Sequence, residues 1–159
     1  MFYIIMFSMK NKIIIVSACL LGLNTKYNGG NNENRDVIAL SKRYILIPLC
    51  PEQLGGLPTP RPPSEIKGNS VFGINGSDLT TNFLRGAEEA LKFAKLYNVK
   101  KAILKDGSPS CGSNYIYDGT FTGKKIEGSG ITAILFKRNN IKVYSEKEIG
   151  KFLADEEKE

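Results

Sequence analysis

The amino-acid sequence predicts a single α/β domain in which a mainly parallel sheet is flanked by helices and the ligand site lies at the strand C-terminal ends. Three observations carry the prediction. Short apolar runs rich in β-branched residues alternate with stretches of helical periodicity, as βαβ units require. Residues 13–18, 44–49 and 102–104 are such runs, and each leads into a turn or loop that carries a cysteine: Cys19, Cys50 and Cys111. The chain of 159 residues, 42% hydrophobic and 24% charged, is long enough to bury one core without disulfides.

In chain order, residues 1–8 are apolar but too few to span a bilayer. Lys10 and Lys12 follow this stretch, whereas a signal peptide places its basic residues first. Met9 is a more natural start, so residues 1–8 are read as an N-terminal extension without a structural role and 9–159 as the domain. Residues 13–18 form a continuous apolar run, suited to a strand covered on both faces. The Asn28-Gly29 and Gly29-Gly30 pairs signal turns. Residues 36–43 read as a short, weakly amphipathic helix returning to a second strand at 44–49.

Residues 51–78 hold most of the prolines, which argue against a helix or a central strand there. A loop of this length in a small domain is usually functional, and a short edge hairpin is expected around Asn75-Gly76. Thr80 or Thr81 is the expected cap of the longest helix, which runs to Asn98. Phe83, Leu84, Ala87, Ala90, Leu91, Ala94 and Leu96 give that helix its apolar stripe. A strand at 101–104 follows, then the Gly107–Gly112 turn, and an aromatic, threonine-rich stretch at 115–122 that suggests a hairpin or cover strand. Residues 131–139 read as a helix and 141–144 as a last strand. A final helix runs from Glu146 to about Ala154, with 155–159 fraying.

Composition narrows the chemistry. The chain has no histidine, so serine–histidine and cysteine–histidine catalysis and the commonest zinc sites are excluded. Acid–base work falls to Asp, Glu, Lys, Tyr or Cys. Three widely spaced cysteines do not make a disulfide framework, and point to reduced thiols in a cytoplasmic protein. The net charge of +6 is read as a generally basic surface rather than nucleic-acid binding, since no nucleic-acid motif accompanies it. Three thiolates converging from separate loops can hold a metal or an iron–sulfur cluster. No C-x-x-C pair supports this, and small buried core cysteines are the alternative.

The contexts of the cysteines add a resemblance. Ser17-Ala18-Cys19-Leu20-Leu21-Gly22 resembles the opening block of the thiouracil desulfidase family. Cys50-Pro51-Glu52 with Gly55-Gly56-Leu57-Pro58-Thr59-Pro60-Arg61 is similar to its second block. Ser108-Pro109-Ser110-Cys111-Gly112, Tyr117-Asp118-Gly119-Thr120-Phe121 and Gly128-Ser129-Gly130-Ile131-Thr132-Ala133 resemble its third. The blocks occur in order and reach from about residue 13 to the 130s.

The resemblance implies a [4Fe–4S] cluster bound by Cys19, Cys50 and Cys111, with one open iron that no protein group ligates. It implies removal of sulfur from a thiopyrimidine such as 2-thiouracil, or a related thioamide, without redox change. Glu52 and Ser108 are the implied catalytic residues, Glu52 activating water and Ser108 orienting the ring or passing a proton. Ser110 is expected to bond the backbone or a cluster sulfur, and Lys105 and Arg61 to offset negative charge. Gly22, Gly55, Gly56, Gly107 and Gly112 are expected to let backbone N–H groups approach a bulky cluster. The first block of the family commonly continues Arg-Tyr-Asp-Gly, where this chain has Lys26-Tyr27-Asn28-Gly29 and so lacks the acid. Two other classes remain open: cluster-dependent sulfur transfer to or from a nucleotide or tRNA base, and a non-enzymatic iron–sulfur binding module.

Overall fold

The computed structural model describes residues 12–159; the expected extension at 1–8 lies outside them. Four parallel strands form the central sheet: β1 (Ile13–Ser17), β2 (Ile45–Leu49), β5 (Lys101–Leu104) and β8 (Lys142–Ser145), in the order β2-β1-β5-β8. Register pairs Ile15 with Ile47 on one side of β1 and Ile15 with Ala102 on the other. The chain leaves β1 to build β2 at one edge, then crosses back to lay β5 on the other side of β1. The order therefore reverses between β1 and β5, and a crevice opens at the carboxyl ends of strands at such a switch point.

The period-two alternation of strands sorts side chains to two faces. Ile15, Ala102 and Leu104 face one core with Ala90, Ala94 and Phe136 from α3 (Thr80–Leu96) and α4 (Ile131–Arg138). Ile14, Val16 and Ile103 face the other, with Val37 from α1 (Arg35–Ala39) and Phe152 from α5 (Ile149–Glu157). Phe152 stands edge-on to Tyr44 and Tyr144, with ring centres 5.4 Å away in each case, a favoured aromatic geometry. The predicted strand runs and the mainly parallel sheet are borne out. No helix among the described residues is long and apolar enough to cross a membrane.

Several expectations need correction. The proline-rich segment contains a one-turn helix, α2 (Pro51–Leu54), because proline at the first helical position loses no intrahelical bond. The turn expected at Asn75-Gly76 is present, with Phe72 bridged antiparallel to Asp78 and the Leu79 N–H bonded to the Val71 carbonyl at 2.8 Å. A further hairpin that the sequence did not indicate precedes it, β3 (Ser64–Lys67) pairing antiparallel with β4 (Ser70–Gly73). Helix α3 is started by Asp78, whose Oδ1 accepts the Thr80 N–H at 2.9 Å, and not by a threonine cap. Leu84 and Leu96 stay exposed on it. The hairpin expected from the 115–122 stretch is present, with β6 (Tyr115–Tyr117) pairing antiparallel with β7 (Lys125–Glu127), so only its second strand lies beyond the expected bounds.

The C-terminal residues do not fray. Helix α5 continues to Glu157, and the Lys101 ammonium, buried at the start of β5, bonds Glu156 at 2.6 Å and Glu159 at 3.0 Å. Lys12 meets Glu156 at 2.8 Å, and the Tyr144 hydroxyl donates to Asp155 at 2.6 Å. A buried ammonium has to be paired, and the acidic end of the chain supplies the partners.

Candidate functional site

At the carboxyl end of the sheet, the loops after β1, β2 and β5 enclose a cavity of about 480 Å³. Cys19, Cys50 and Cys111 all line it, as do Glu52 and Ser108. Five residues chosen from sequence are thus brought to one place. Each cysteine is delivered by a different strand. Cys19 lies in a 3-10 turn (Ala18–Leu21) directly after β1, Cys50 is the residue before α2, and Cys111 sits in the loop that follows β5.

All three thiols are free. Cys19 and Cys50 are half-buried, whereas Cys111 is buried and also packs against the α3–α4 core. Burial pushes the Cys111 thiol up to about 12, against hydrogen bonds from the hydroxyls of Ser17 and Ser110. Burial also raises Cys19, opposed by the Asn32 side chain, and its neighbour Cys50 raises it further. For Cys50, burial outweighs the N–H of Gln53 at the start of α2 and the nearby Arg61 charge. The thiols therefore sense one another across the cavity.

The donor set fits a cluster better than a lone ion. Among the described residues, no group of three His, Cys, Asp or Glu side chains is gathered as one metal ion would need. Three soft sulfur donors around a common cavity, with no histidine in the chain, match the ligand chemistry of iron–sulfur clusters. A cluster is wider than an ion, so its ligands stand further apart.

The Cys111 loop is held from inside by a carboxylate. Asp106 Oδ1 accepts the backbone N–H groups of Gly107, Ser113, Asn114 and Tyr115 at 3.1–3.2 Å, and Oδ2 accepts the Asn114 amide at 3.2 Å. Burial pushes the Asp106 carboxyl up, but these donors outweigh it and hold it below the usual carboxylate range. Within this ring, Ser108 Oγ accepts the N–H groups of Ser110 at 3.2 Å and Cys111 at 3.1 Å. With its lone pairs taken, the Ser108 hydroxyl acts as a donor, and in this structure its neighbour at 3.4 Å is Ser110 Oγ. The Ser110 hydroxyl donates to Cys111 Sγ at 3.5 Å, whereas the sequence reading gives the backbone or a cluster sulfur as its partner.

On the opposite wall, Arg61 is buried and its Nε donates to Glu52 Oε1 at 3.0 Å. Lys105 pairs with Glu146 at 2.8 Å. Asn28 stays exposed, its Oδ1 bonded to the Gly30 N–H at 3.0 Å, and lies outside the cavity lining, whereas Lys26 and Tyr27 line it. The glycine expectation is corrected in part. A Cβ on Gly55 would strike the Asn82 carbonyl of α3, and one on Gly112 would stand 2.6 Å from the Tyr115 carbonyl, so protein packing requires both.

Asp106, Glu146, Asn32, Tyr115 and Tyr117 were not singled out from sequence. Two of them carried a signal, Asp106 as an Asp-Gly pair closing a strand and Tyr117 as the first residue of a block already quoted for the resemblance.

The family described as 2-thiouracil desulfurase matches residues 14–148. The uncharacterized protein YbbK of Bacillus subtilis (strain 168) is 41% identical over 151 residues, covering 89% of this chain and 100% of that protein. A solved structure of the [4Fe–4S]-dependent thiouracil desulfidase TudS superposes with a TM-score of 0.86 at 43% identity, over 92% of this chain and 97% of that one.

Proposed function

Because this chain belongs to the 2-thiouracil desulfurase family, we propose that it removes sulfur from a thiolated pyrimidine of the 2-thiouracil kind, or a related thioamide, at the cavity above the sheet. The protein is a desulfidase: water and the thiocarbonyl compound give the oxo compound and hydrogen sulfide. Carbon keeps its oxidation state, so no electron donor is consumed. The observation that carries the reading is the convergence of Cys19, Cys50 and Cys111 with Glu52 and Ser108 on one cavity.

Cys19, Cys50 and Cys111 would hold a [4Fe–4S] cluster, leaving one iron without a protein ligand. When bound, such a cluster supplies a Lewis acid for the thiocarbonyl sulfur. The remaining work falls to the chain. Glu52 has one carboxylate oxygen committed to Arg61, while Oε2 has no partner among the described residues. Oε2 is thus the acceptor that takes the proton of the attacking water. Ser108, held as a donor by the two N–H groups on its oxygen, orients the ring or returns the proton to the departing sulfur. Leu49, Pro51 and Pro109 supply apolar wall against which a flat ring can pack.

The test is iron and acid-labile sulfide per chain after anaerobic reconstitution, followed by conversion of 2-thiouracil to uracil and sulfide. About four of each per chain, with turnover, is the expected result. Absence of iron from a folded protein would remove the reading.

A further inference from the structure

The Arg61 guanidinium meets an acceptor with each of its five N–H groups. Nε donates to Glu52 Oε1 at 3.0 Å. Nη1 donates to the Pro58 carbonyl at 3.2 Å and Thr59 Oγ1 at 2.8 Å. Nη2 donates to the Thr25 carbonyl at 2.9 Å and lies 3.9 Å from Cys50 Sγ. The Arg61 backbone N–H adds a bond to the Tyr27 carbonyl at 2.7 Å. The side chain is 5% exposed, so these bonds face little competition from water.

These contacts belong to three separate pieces of the site. Thr25 and Tyr27 are in the loop after β1, Cys50 and Glu52 flank Pro51 at the start of α2, and Pro58 and Thr59 are in the proline-rich loop. From this we infer that Arg61 is the positioning residue of the reaction, holding Glu52 at a fixed place relative to Cys50. This rests on the desulfidase reading. A carboxylate on a flexible two-carbon stem samples several rotamers, and a planar fork that grips it from a fixed frame removes that freedom. Lysine cannot substitute for it. A single ammonium keeps the charge but has three donors on one atom, too few and too close together for acceptors spread over three segments.

The test is a double-mutant cycle with Arg61→Lys and Glu52→Gln, read by kcat, KM, iron per chain and thermal midpoint. Arg61→Lys is expected to load iron and sulfide as the wild type does, to keep KM within about twofold, and to lose roughly tenfold or more in kcat. In the Glu52→Gln background the same change is expected to cost less than about twofold, because the group it positions is already gone. Thr59→Val removes one anchor of the fork, and gives a smaller kcat loss with full iron should the lysine variant fold poorly. Arg61→Lys with wild-type kcat per cluster would overturn the inference. So would equal losses in both backgrounds, since these mean that Arg61 acts on the whole fold and not through Glu52. A wild-type enzyme that loads its cluster but turns over no thioamide would remove the desulfidase reading and the role of Arg61 with it.

Discussion

Replacing Gly86 with alanine separates two physical arguments that give opposite signs. Gly86 lies inside the 17-residue helix α3. Helix propensity alone favours alanine there by about 0.5–1 kcal/mol. The packing says otherwise. A Cβ on Gly86 would fall well inside contact distance of the Pro51 carbonyl oxygen and 3.1 Å from the Gly55 nitrogen. Gly55 faces α3 in the same way, so the two helices approach backbone to backbone, and Asn82 Nδ2 donates to the Gly55 carbonyl at 2.9 Å. Neither side can yield by rotating a side chain. Overpacking costs about 1–3 kcal/mol and here sits at the upper end, so the net loss is about 2 kcal/mol. For a chain of this size that lowers the thermal midpoint by about 4–8 °C. Pro51 stands between Cys50 and Glu52, so the displacement reaches the cavity, and iron per chain and kcat are expected to fall together. Thermal unfolding followed by circular dichroism, beside an iron assay, measures both. A Gly86→Ala protein at least as stable as wild type and fully loaded with iron would refute the close-packing argument.

Changing Cys19, Cys50 or Cys111 to alanine is expected to reduce iron and labile sulfide far below about four per chain while leaving the far-ultraviolet dichroism unchanged; an unaltered iron content in any one of them removes that residue from the ligand set. Glu52→Gln keeps the shape but not the base, so cluster absorption persists and turnover drops about a hundredfold or more, and normal turnover would reassign the base. Asp106→Asn removes the charge that gathers five N–H bonds, lowering stability by about 3 kcal/mol at neutral pH. The folded-state Asp106 carboxyl titrates below its unfolded value, so its contribution is fully present above about pH 4 and disappears as pH falls through the folded-state value. Denaturation curves for the two proteins should therefore converge in acid; a constant gap would mean that volume, not charge, is what the substitution changes.

The strands were legible because each is an uninterrupted β-branched or apolar run, and burial on both faces selects for such runs. Cys19 and Cys50 were legible because they follow those runs at once, and Cys111 because its loop opens after one. Glu52 was reached through the family resemblance, and the sheet topology then brings the strand ends together. What was not legible depends on partners far along the chain. Arg61 reaches back 36 residues to Thr25. Lys101 is paired across 55 residues to Glu156, which is why the acidic tail, solvated by its local sequence, is ordered. The Asn75-Gly76 turn was legible as a strong local signal and is crossed by the Phe72–Asp78 bridge, whereas the β3–β4 hairpin was missed because Gly68-Asn69 is a weaker one.

The charges around the cavity bear on how it is built. Lys105 and Arg61 were expected to offset the negative charge of a cluster and its thiolates. Each also holds a carboxylate, Lys105 with Glu146 and Arg61 with Glu52, while the Lys105 charge still favours the Cys19 thiolate and the Arg61 charge the Cys50 thiolate. Asp106 is balanced by backbone dipoles rather than by a cation. Two of the wall's cations are thus shared between a carboxylate and a thiol, and Lys26, which stands over the Tyr27 ring, adds a third charge to the lining. Affinity for a cluster would rest on the three thiols and on donors placed beside their sulfurs: the Ser110 hydroxyl 3.5 Å from Cys111 and Arg61 Nη2 3.9 Å from Cys50. These donors are fixed before any metal arrives. Soft sulfur donors favour a thiophilic metal over a hard cation, and a thiol that gives up its proton to such a metal gains a bond that no oxygen anion in the cavity can offer it.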